Sequence, residues 1–483
     1  MAKIRSVKCN FIMNTILTGS TFIFPLVTFP YISRILQPVG VGKVNLASSI
    51  AYYFSMFAML GVPTYGIRAC AKVRDDKEQL SRTVHEIFVI NLLMGMISYV
   101  VYIVLVLMIP RLRAEATLYY IMSTTILFNV MGVEWLYKGL EQYSYITARS
   151  ILFKIFGLLL MFAFVKESED YIFYGAISVI SGIGSNVLNF LQIRKHVYLH
   201  PVGNYHFRKH FNAIAIFFLM SVATTIYTNL DTVMLGFMTD DAEVGYYTAA
   251  VKVKNILVSF VTALSTVLLP RVAYYIEHGM KEKFYQVTRK ALNFIFLTAL
   301  PLVVYFIAFA KESVIVLSGD AFYGAILPMQ IIMPSVLFIG LTNVLGIQTL
   351  VPLGLEKKVF YSVLVGAIVD LIINMICIPL FLSSGASVGT VVAEFFVLLV
   401  QLWFLRDQVC TLFEEIQLKK IIIGILCGLL AGYWTRYLQI SDFLILIFSG
   451  GLFFAIYGMI LVFTKEKFVC NIICELRRTK KRK

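Results

Sequence analysis

A lysine lies in the middle of one long apolar segment. Residues 244–270 are apolar over about the length that a helix needs to cross a bilayer, yet they include Lys252. A cation at the bilayer centre costs roughly 2.5–3.5 kcal/mol on insertion scales, so it usually faces water or a partner. We expect Lys252 to line an aqueous cavity that binds an anion; the alternative is an ion pair with a carboxylate on a neighbouring helix. Helical spacing puts Lys252 on one polar stripe with Thr248, Asn255, Ser259, Thr262 and Thr266.

Other basic residues could face the same cavity or its mouth. Arginine suits phosphate because its planar guanidinium binds two oxygens at once, whereas lysine acts as a point charge. For Arg68 and Arg271, which fall at helix ends, the alternative is an ordinary basic flank on the inner side of the membrane. The expected substrate-binding residues are Lys252, Asn255, Arg34, Arg68, Lys154 and Arg271.

Several carboxylates also fall inside the predicted spans. A carboxylate in lipid is costly unless it is protonated, paired or hydrated. Asp231 is the first candidate for binding a coupling Na⁺ or H⁺, because it lies on the polar stripe of its helix. Asp370 is the second, because Asn374 follows one turn later. The alternative is that these acids pair with Lys154, Lys252, Lys254 or a cluster of serines and threonines. The full candidate set is Asp231, Asp370, Asn374, Glu394 and Glu134.

Membrane helices must position these residues. The chain of 483 residues is 59% hydrophobic and 14% charged, whereas a soluble protein is about a quarter charged. Apolar runs of about 20 residues predict an all-α polytopic membrane protein with about 14 transmembrane helices. The predicted spans are 10–33, 44–65, 84–109, 116–138, 148–165, 171–192, 211–238, 244–270, 288–309, 321–351, 358–382, 384–405, 419–438 and 441–464.

The basic residues are distributed unevenly between the two sides of these spans. Most of the 42 lysines and arginines fall in the tails and in the loops on one side, which is typical of cytoplasmic segments. We therefore predict that both termini are cytoplasmic. The net charge of +15 then reflects topology and attraction to anionic lipid headgroups rather than binding of nucleic acid.

An internal repeat relates the two halves of the chain. An offset of 203 residues (245 minus 42) takes Gly42 to Gly245 and also carries one polar helix stripe onto another. This predicts two pseudo-symmetric lobes of six helices each, with a site between them near the membrane midplane. The predicted division is 1–210 for the N-lobe with helices 1–6, 211–410 for the C-lobe with helices 7–12, and 411–483 for helices 13–14 and a basic cytoplasmic tail.

Motifs of common enzymes and metal sites are missing. The chain contains no GxxxxGK[ST], HExxH or GxSxG. We therefore expect that the protein is not an enzyme and that this chain does not drive transport with ATP. Histidine pairs spaced i,i+4 can bind zinc on a helix, but the sequence HPVGN interrupts any single helix here, and we expect no metal site. These histidines are His196, His200, His206 and His210.

Several stretches, in order, resemble one transporter family. The chain is similar to the polysaccharide repeat-unit flippases of the MOP exporter superfamily, which are relatives of lipid II flippases and of multidrug MATE antiporters. The stretches are YISRILQPVGVGKVNLA (31–47), EWLYKGLEQYSYITARSILFKI (134–155), NLDTVMLG (229–236), VGYYTAAVK (244–252), LLPRV (268–272), LVPLGLEKK (350–358) and NMICIPLFLSSGASVGTVVAE (374–394).

The resemblance implies a function and a set of partners. Such proteins move undecaprenyl-pyrophosphate-linked oligosaccharides across the bacterial cytoplasmic membrane for capsule or O-antigen-like surface polysaccharide, through a cationic central cavity and with ion coupling. It implies contacts with membrane lipids, a possible polysaccharide polymerase partner and a monomer. By similarity to lipid II flippases, helices 13 and 14 could form a groove for the lipid tail; Gly424, Gly428 and Gly432 would give it a smooth face, and the alternative is helix packing. The alternative function is a MATE-like multidrug exporter, whose substrates are usually cations.

Overall fold

Long apolar segments form long helices here, because a backbone in lipid must satisfy its N–H and C=O groups within the segment. The computed structural model describes the backbone of residues 7–470 and their side chains, except those at positions 7, 8, 11, 22, 220, 223–227, 264–267, 269, 270, 273 and 410. Within this range the structure has helices and no strand. In the part of the chain that the structure describes, eight helices are long and apolar enough to cross a membrane, or up to ten if each of two bent helix pairs counts as one span. The all-α membrane class is therefore confirmed, and the count of 14 stays a prediction.

The N-terminal unit comprises Met1–Gly245. Helix α1 packs against α3, α5, α7 and α10, and a π-turn at Ile180–Gly184 separates α8 from α9. The helices are α1 Val7–Met59, α2 Val62–Lys72, α3 Lys77–Met108, α4 Pro110–Ala114, α5 Ala116–Gly132, α6 Glu134–Gly139, α7 Tyr143–Phe164, α8 Tyr171–Val179, α9 Asn186–Gln192 and α10 Arg208–Met238.

The C-terminal unit comprises Tyr246–Lys483. Its first helix, α11, begins just before the boundary, and its apolar core forms where α12, α18 and α19 meet. The helices are α11 Asp241–Glu277, α12 Lys281–Ala308, α13 Ala310–Ser318, α14 Ile326–Ile332, α15 Pro334–Thr342, α16 Glu356–Phe404, α17 Arg406–Phe413, α18 Leu418–Tyr433 and α19 Asp442–Phe463.

Two very long helices each contain two predicted spans. In α1 the spans meet at Gln37, which interrupts the helical backbone with φ 59° and precedes Pro38. Proline disfavours the α conformation of the residue before it, so the break falls at this position. In α16 the corresponding break is at Leu382, with φ 54°. The stretch between the predicted spans 44–65 and 84–109 is partly helical, because α2 runs through to Lys72 and α3 begins at Lys77.

Contacts divide the chain at Gly245 rather than at residue 210. Helix α10 lies in the N-terminal unit because it packs against α1 and α2. The predicted lobe boundary follows the sequence repeat and not the contacts, and it stays a prediction.

The glycines of α18 pack against α19. A β-carbon at Gly424 would lie 2.9 Å from the Tyr457 ring, and one at Gly428 would lie 2.9 Å from the carbonyl oxygen of Phe453. Small residues allow this close helix approach in membranes. The helix-packing alternative is therefore confirmed for this face, which is covered and does not form an open groove.

Candidate functional site

The N-terminal unit contains a cavity of about 450 Å³. Helix α1 contributes one wall, and α6, α7, α8 and the π-turn contribute the others. Pro25 lies in the α1 wall, at a position where proline removes a backbone hydrogen bond and bends the helix. Most of the cavity surface is apolar, and the hydroxyl-bearing residues that line it are Ser20, Thr21, Thr28, Ser150, Tyr174, Ser178, Ser181 and Ser185.

Arg149 of α7 is buried at this cavity and fixed by several acceptors. Its Nη2 donates to Glu134 Oε2 at 2.8 Å. Its Nη1 donates to Ser185 Oγ at 2.5 Å and to Asn186 Oδ1 at 3.1 Å. The side chain is only 3% exposed, so this paired geometry is needed to offset the desolvation of the charge. The Nε donor is buried and has no hydrogen-bond partner among the described residues.

Glu134 balances two cations at one edge of the cavity. Besides the bond to Arg149, its Oε1 accepts from Lys138 Nζ at 2.8 Å, one helical turn along α6. The Glu134 side chain is 35% exposed, so solvent screens part of these interactions. One carboxylate thus serves both Lys138 and Arg149, and the three side chains together carry a net charge of +1.

Lys154 is the cation of the cavity wall that lacks a carboxylate partner in the described part of the chain. Its Nζ donates to Ser20 Oγ at 2.7 Å and lies 5.9 Å from the centre of the Phe24 ring. The Ser20 hydroxyl in turn donates to the Leu17 carbonyl at 2.6 Å. An ammonium has three donors, and Ser20 takes one of them. The cavity therefore combines an uncompensated positive charge with many hydroxyl groups, which suits an anion that carries sugar hydroxyls.

The structure places the predicted cations at separate positions. Lys154 lines the cavity, whereas Arg34 is exposed and donates to the Pro30 carbonyl of its own helix at 2.7 Å. Arg68 is exposed and stacks over the Phe217 ring at 5.1 Å. On α11, Lys252 is half-buried, while Asn255 and Arg271 are exposed. Among the side chains that the structure describes, Lys252 has no ion-pair partner.

The predicted ion-coupling residues are buried, apart from Glu134. Asp231 of α10 lies in the N-terminal unit. Asp370, Asn374 and Glu394 lie in α16 of the C-terminal unit, on either side of its break at Leu382. A β-carbon at Gly389 would overlap Asn374 Oδ1, so the two halves of α16 approach closely here. The described residues contain no group of three or more His, Cys, Asp or Glu that could hold a metal ion.

Sequence reasoning missed Arg149 and the partners of Glu134. The expected alternative paired Glu134 with Lys154, Lys252 or Lys254, and this was wrong because Arg149 and Lys138 are closer partners. An arginine inside the predicted span 148–165 was a usable signal, since such residues usually face a bundle interior and pair with an acid. Helical spacing did not reveal the pair because the two residues lie on different helices.

The family is decided by comparison with known proteins. The family model described as "Polysaccharide biosynthesis protein" matches residues 7–276, which is more than half of the chain. The chain belongs to this polysaccharide biosynthesis protein family. A second model, MatE, matches residues 217–376. A protein of Escherichia coli strain K12 named "Putative O-antigen transporter" is 22% identical over 405 residues, covering 83% of this chain and 97% of the relative.

Solved structures show which fold this family member adopts. The chain is similar to the lipid II flippase MurJ in an inward closed conformation, with a TM-score of 0.74, 17% identity, and coverage of 94% of this chain and 99% of that one. An inward-facing MATE family multidrug resistance transporter of the MOP superfamily has a TM-score of 0.64 and 11% identity, with coverage of 81% and 96%. The protein is thus a multi-pass membrane protein with the fold of MOP transporters.

Proposed function

We propose that this protein is a flippase for lipid-linked oligosaccharides. It moves undecaprenyl-pyrophosphate-linked repeat units across the bacterial cytoplasmic membrane by alternating access, for assembly of a capsule or O-antigen-like polysaccharide. Family membership and the fold support transport of a polysaccharide precursor. The single observation that carries the substrate class is the hydroxyl-lined cavity with Lys154 on its wall.

The chemistry of the cavity matches the two parts of such a headgroup. A pyrophosphate carries several negative charges, and Lys154 can donate its remaining N–H groups to the phosphate oxygens. Sugar hydroxyls can exchange hydrogen bonds with serine and threonine hydroxyls, which both donate and accept. Lys252 and Arg34 are proposed as further phosphate ligands at other stages of the cycle.

Movement of a charged headgroup across the membrane requires an energy source. We assign coupling to Na⁺ or H⁺ binding at the buried acids, with Asp370, Asn374 and Glu394 in α16 and Asp231 in α10. Burial of a carboxylate in a membrane protein is costly, and a bound cation or proton relieves this cost. Binding of Na⁺ or H⁺ at the break of α16 would be coupled to bending of that helix.

The second candidate is a MATE-like drug exporter. The MatE match over residues 217–376 and the similarity to a MATE transporter favour it. A cationic drug would be repelled by Lys154, because no acid in the described part of the cavity compensates this lysine. The cavity therefore favours the flippase.

Deletion of the protein in its own host tests the proposal. The lipid-linked oligosaccharides are extracted after treating intact spheroplasts or inverted vesicles with an impermeant reagent that modifies glycans. The flippase predicts that complete repeat units accumulate on the cytoplasmic leaflet and that surface polymer is lost. Normal surface glycan combined with increased drug sensitivity would instead support the exporter.

A further inference from the structure

A second polar cluster lies where α2, α3 and the start of α10 meet. Glu86 of α3 is fully buried and accepts three hydrogen bonds. The donors are the backbone N–H of His206 at 2.6 Å, Nζ of Lys209 at 2.7 Å and Nε2 of His210 at 2.7 Å. None of these residues lines the cavity of the candidate site. The carboxylate is thus satisfied entirely by the segment that leads into α10.

The His210 ring joins two helices to this segment. While Nε2 faces Glu86, Nδ1 lies 2.6 Å from the hydroxyl of Tyr65 on α2. A neutral imidazole fits this arrangement in one tautomer, with Nε2–H donating to Glu86 and Nδ1 accepting from the tyrosine hydroxyl. The ring is only 2% exposed, so water does not replace either bond. His210 therefore connects α2 and α3 to the first turn of α10.

Neighbouring contacts hold the same segment against α3. Nε2 of His85 lies 2.8 Å from the Tyr198 carbonyl, and Nδ1 lies 3.1 Å from the Tyr205 hydroxyl. The segment from 196 to 207 contains no α-helix or strand, so side-chain bonds of this kind must fix its position. Arg82 and Ser81 also bond to Gly203 and Tyr198, so residues 198–205 stay fixed without Glu86. Loss of the Glu86 contacts would free only residues 206–210, at the start of α10.

Charge balance makes this cluster sensitive to protons. Lys209 already neutralises Glu86, so a proton on His210 would leave the buried cluster with one net positive charge. A proton on Nδ1 would also turn this atom into a donor, and the Tyr65 hydroxyl would have to accept and redirect its own hydrogen. Protonation of His210 therefore destabilises the hydrogen-bonded arrangement of Glu86, His210 and Tyr65.

We propose that Glu86, His210 and Tyr65 form a proton-binding site in which uptake of one proton by His210 Nδ1 releases residues 206–210 from α2 and α3. Through this site, the pH controls whether the start of α10 stays bound to α2 and α3. The site would operate whether or not the cavity binds a phosphate.

The direction of the pH response follows from the surroundings of His210, which precedes the predicted span 211–238. Burial lowers the pKa of His210, although Glu86 acts in the opposite direction and Lys209 adds to the lowering. In the released segment the ring is hydrated and its pKa returns to about 6.5. The contacts of His210 with Glu86 and Tyr65 are therefore stable above about pH 6.5 and weaken as the pH falls below that value. The titratable groups around the ring are Tyr65 from α2, Glu86 from α3, and Lys209 from α10; Cys70 of α2 lies near Tyr65.

Hydrogen–deuterium exchange of the full-length protein in detergent tests this site. Amide exchange of residues 206–210 is compared between the protein and His210→Gln at each pH from 7.5 to 5.5, which cancels the intrinsic pH dependence of exchange. Glutamine can donate to Glu86 and accept from Tyr65 but does not titrate. We expect exchange relative to this variant to rise up to about tenfold per pH unit, the limit for one linked proton. An unchanged ratio across the pH range would overturn the proposal.

Two further variants separate a proton site from a merely structural contact. In Lys209→Gln, a protonated His210 becomes the only counterion of Glu86, so acid should no longer open the segment; Lys209 is half-exposed, and its loss should not impair folding. His278→Gln changes an exposed histidine at the end of α11 and should respond to pH as the unmodified protein does. Acid opening that persists in Lys209→Gln would contradict the assigned charge balance.

Discussion

Lys154 is the residue on which substrate recognition in the cavity depends most directly. We expect Lys154→Ala to reduce export of the lipid-linked oligosaccharide by about 10- to 100-fold, because hydrogen bonds to charged groups contribute about 1.5–3 kcal/mol. Lys154→Arg keeps the charge and should retain more activity than the alanine variant. Complementation of the deletion strain and quantification of surface polymer measure both effects. Lys281→Ala, an exposed lysine at the start of α12, is the matched control, and an equal loss in this control would remove the special role of Lys154.

The ion pair between Glu134 and Arg149 also concerns single residues, but it affects the stability of the protein rather than substrate recognition. Removing the acid in Glu134→Gln leaves a buried arginine without its carboxylate partner, which usually costs 3–5 kcal/mol. Because Glu134 is 35% exposed, we expect about 2 kcal/mol here, seen as a drop of a few degrees in the unfolding midpoint of the detergent-solubilised protein.

The double variant Glu134→Gln with Arg149→Met checks this reasoning. Removing the buried charge as well should recover much of the lost stability, because the penalty comes from the unpaired guanidinium. A double variant that is less stable than either single variant would show that Arg149 is held mainly by Ser185 and Asn186.

At the scale of elements, α1 and the first turn of α11 cross with their backbones in contact. A β-carbon at Gly42 would overlap the Asp241 carbonyl oxygen, and one at Gly245 would overlap the Pro38 carbonyl oxygen. Backbone atoms cannot rotate away from the added methyl group. We therefore expect Gly42→Ala and Gly245→Ala each to lower the unfolding midpoint. The loss of stability should exceed that of an ordinary overpacked side chain, which is about 1–3 kcal/mol.

A glycine in open space provides the control for this crossing. Nothing lies within 4 Å of a β-carbon at Gly451 in α19, so Gly451→Ala should be neutral or slightly stabilising, since alanine favours the helix. Equal midpoints for Gly42→Ala and Gly451→Ala would mean that the crossing adapts without cost.

The same elements show what sequence alone can and cannot predict. Hydropathy predicted most helices, because length and apolar content determine which segments can lie in lipid. It placed the break of α1, which falls at Gln37, between the spans 10–33 and 44–65, but it did not predict that the flanking turns stay helical up to this break. The repeat offset related Gly42 to Gly245, and the structure brings these two glycines together, since a β-carbon added to Gly42 would lie 3.0 Å from the Gly245 nitrogen.

The candidate site was predicted only in part, for a related reason. Lys154 and Glu134 were identified because charged residues in apolar segments are conspicuous, and both line the cavity. Arg149 was missed, and so was the Glu86 cluster, because their partners come from other helices and from residues far along the chain. Pairing across helices depends on tertiary packing, which residue spacing within one segment does not contain.

At the scale of the whole molecule, the distribution of basic residues sets the orientation in the membrane. Lysines and arginines near the cytoplasmic leaflet gain about 1 kcal/mol each from anionic headgroups, and several follow His278 along the chain. We therefore expect His278→Cys, in a background without other cysteines, to react with a membrane-impermeant maleimide only after the cells are permeabilised. Ser168→Cys, in the exposed turn between α7 and α8, should react in intact cells. The cysteine-free protein must give no label, and labelling of His278→Cys from outside would invert the topology and place the 196–210 segment on the outer face.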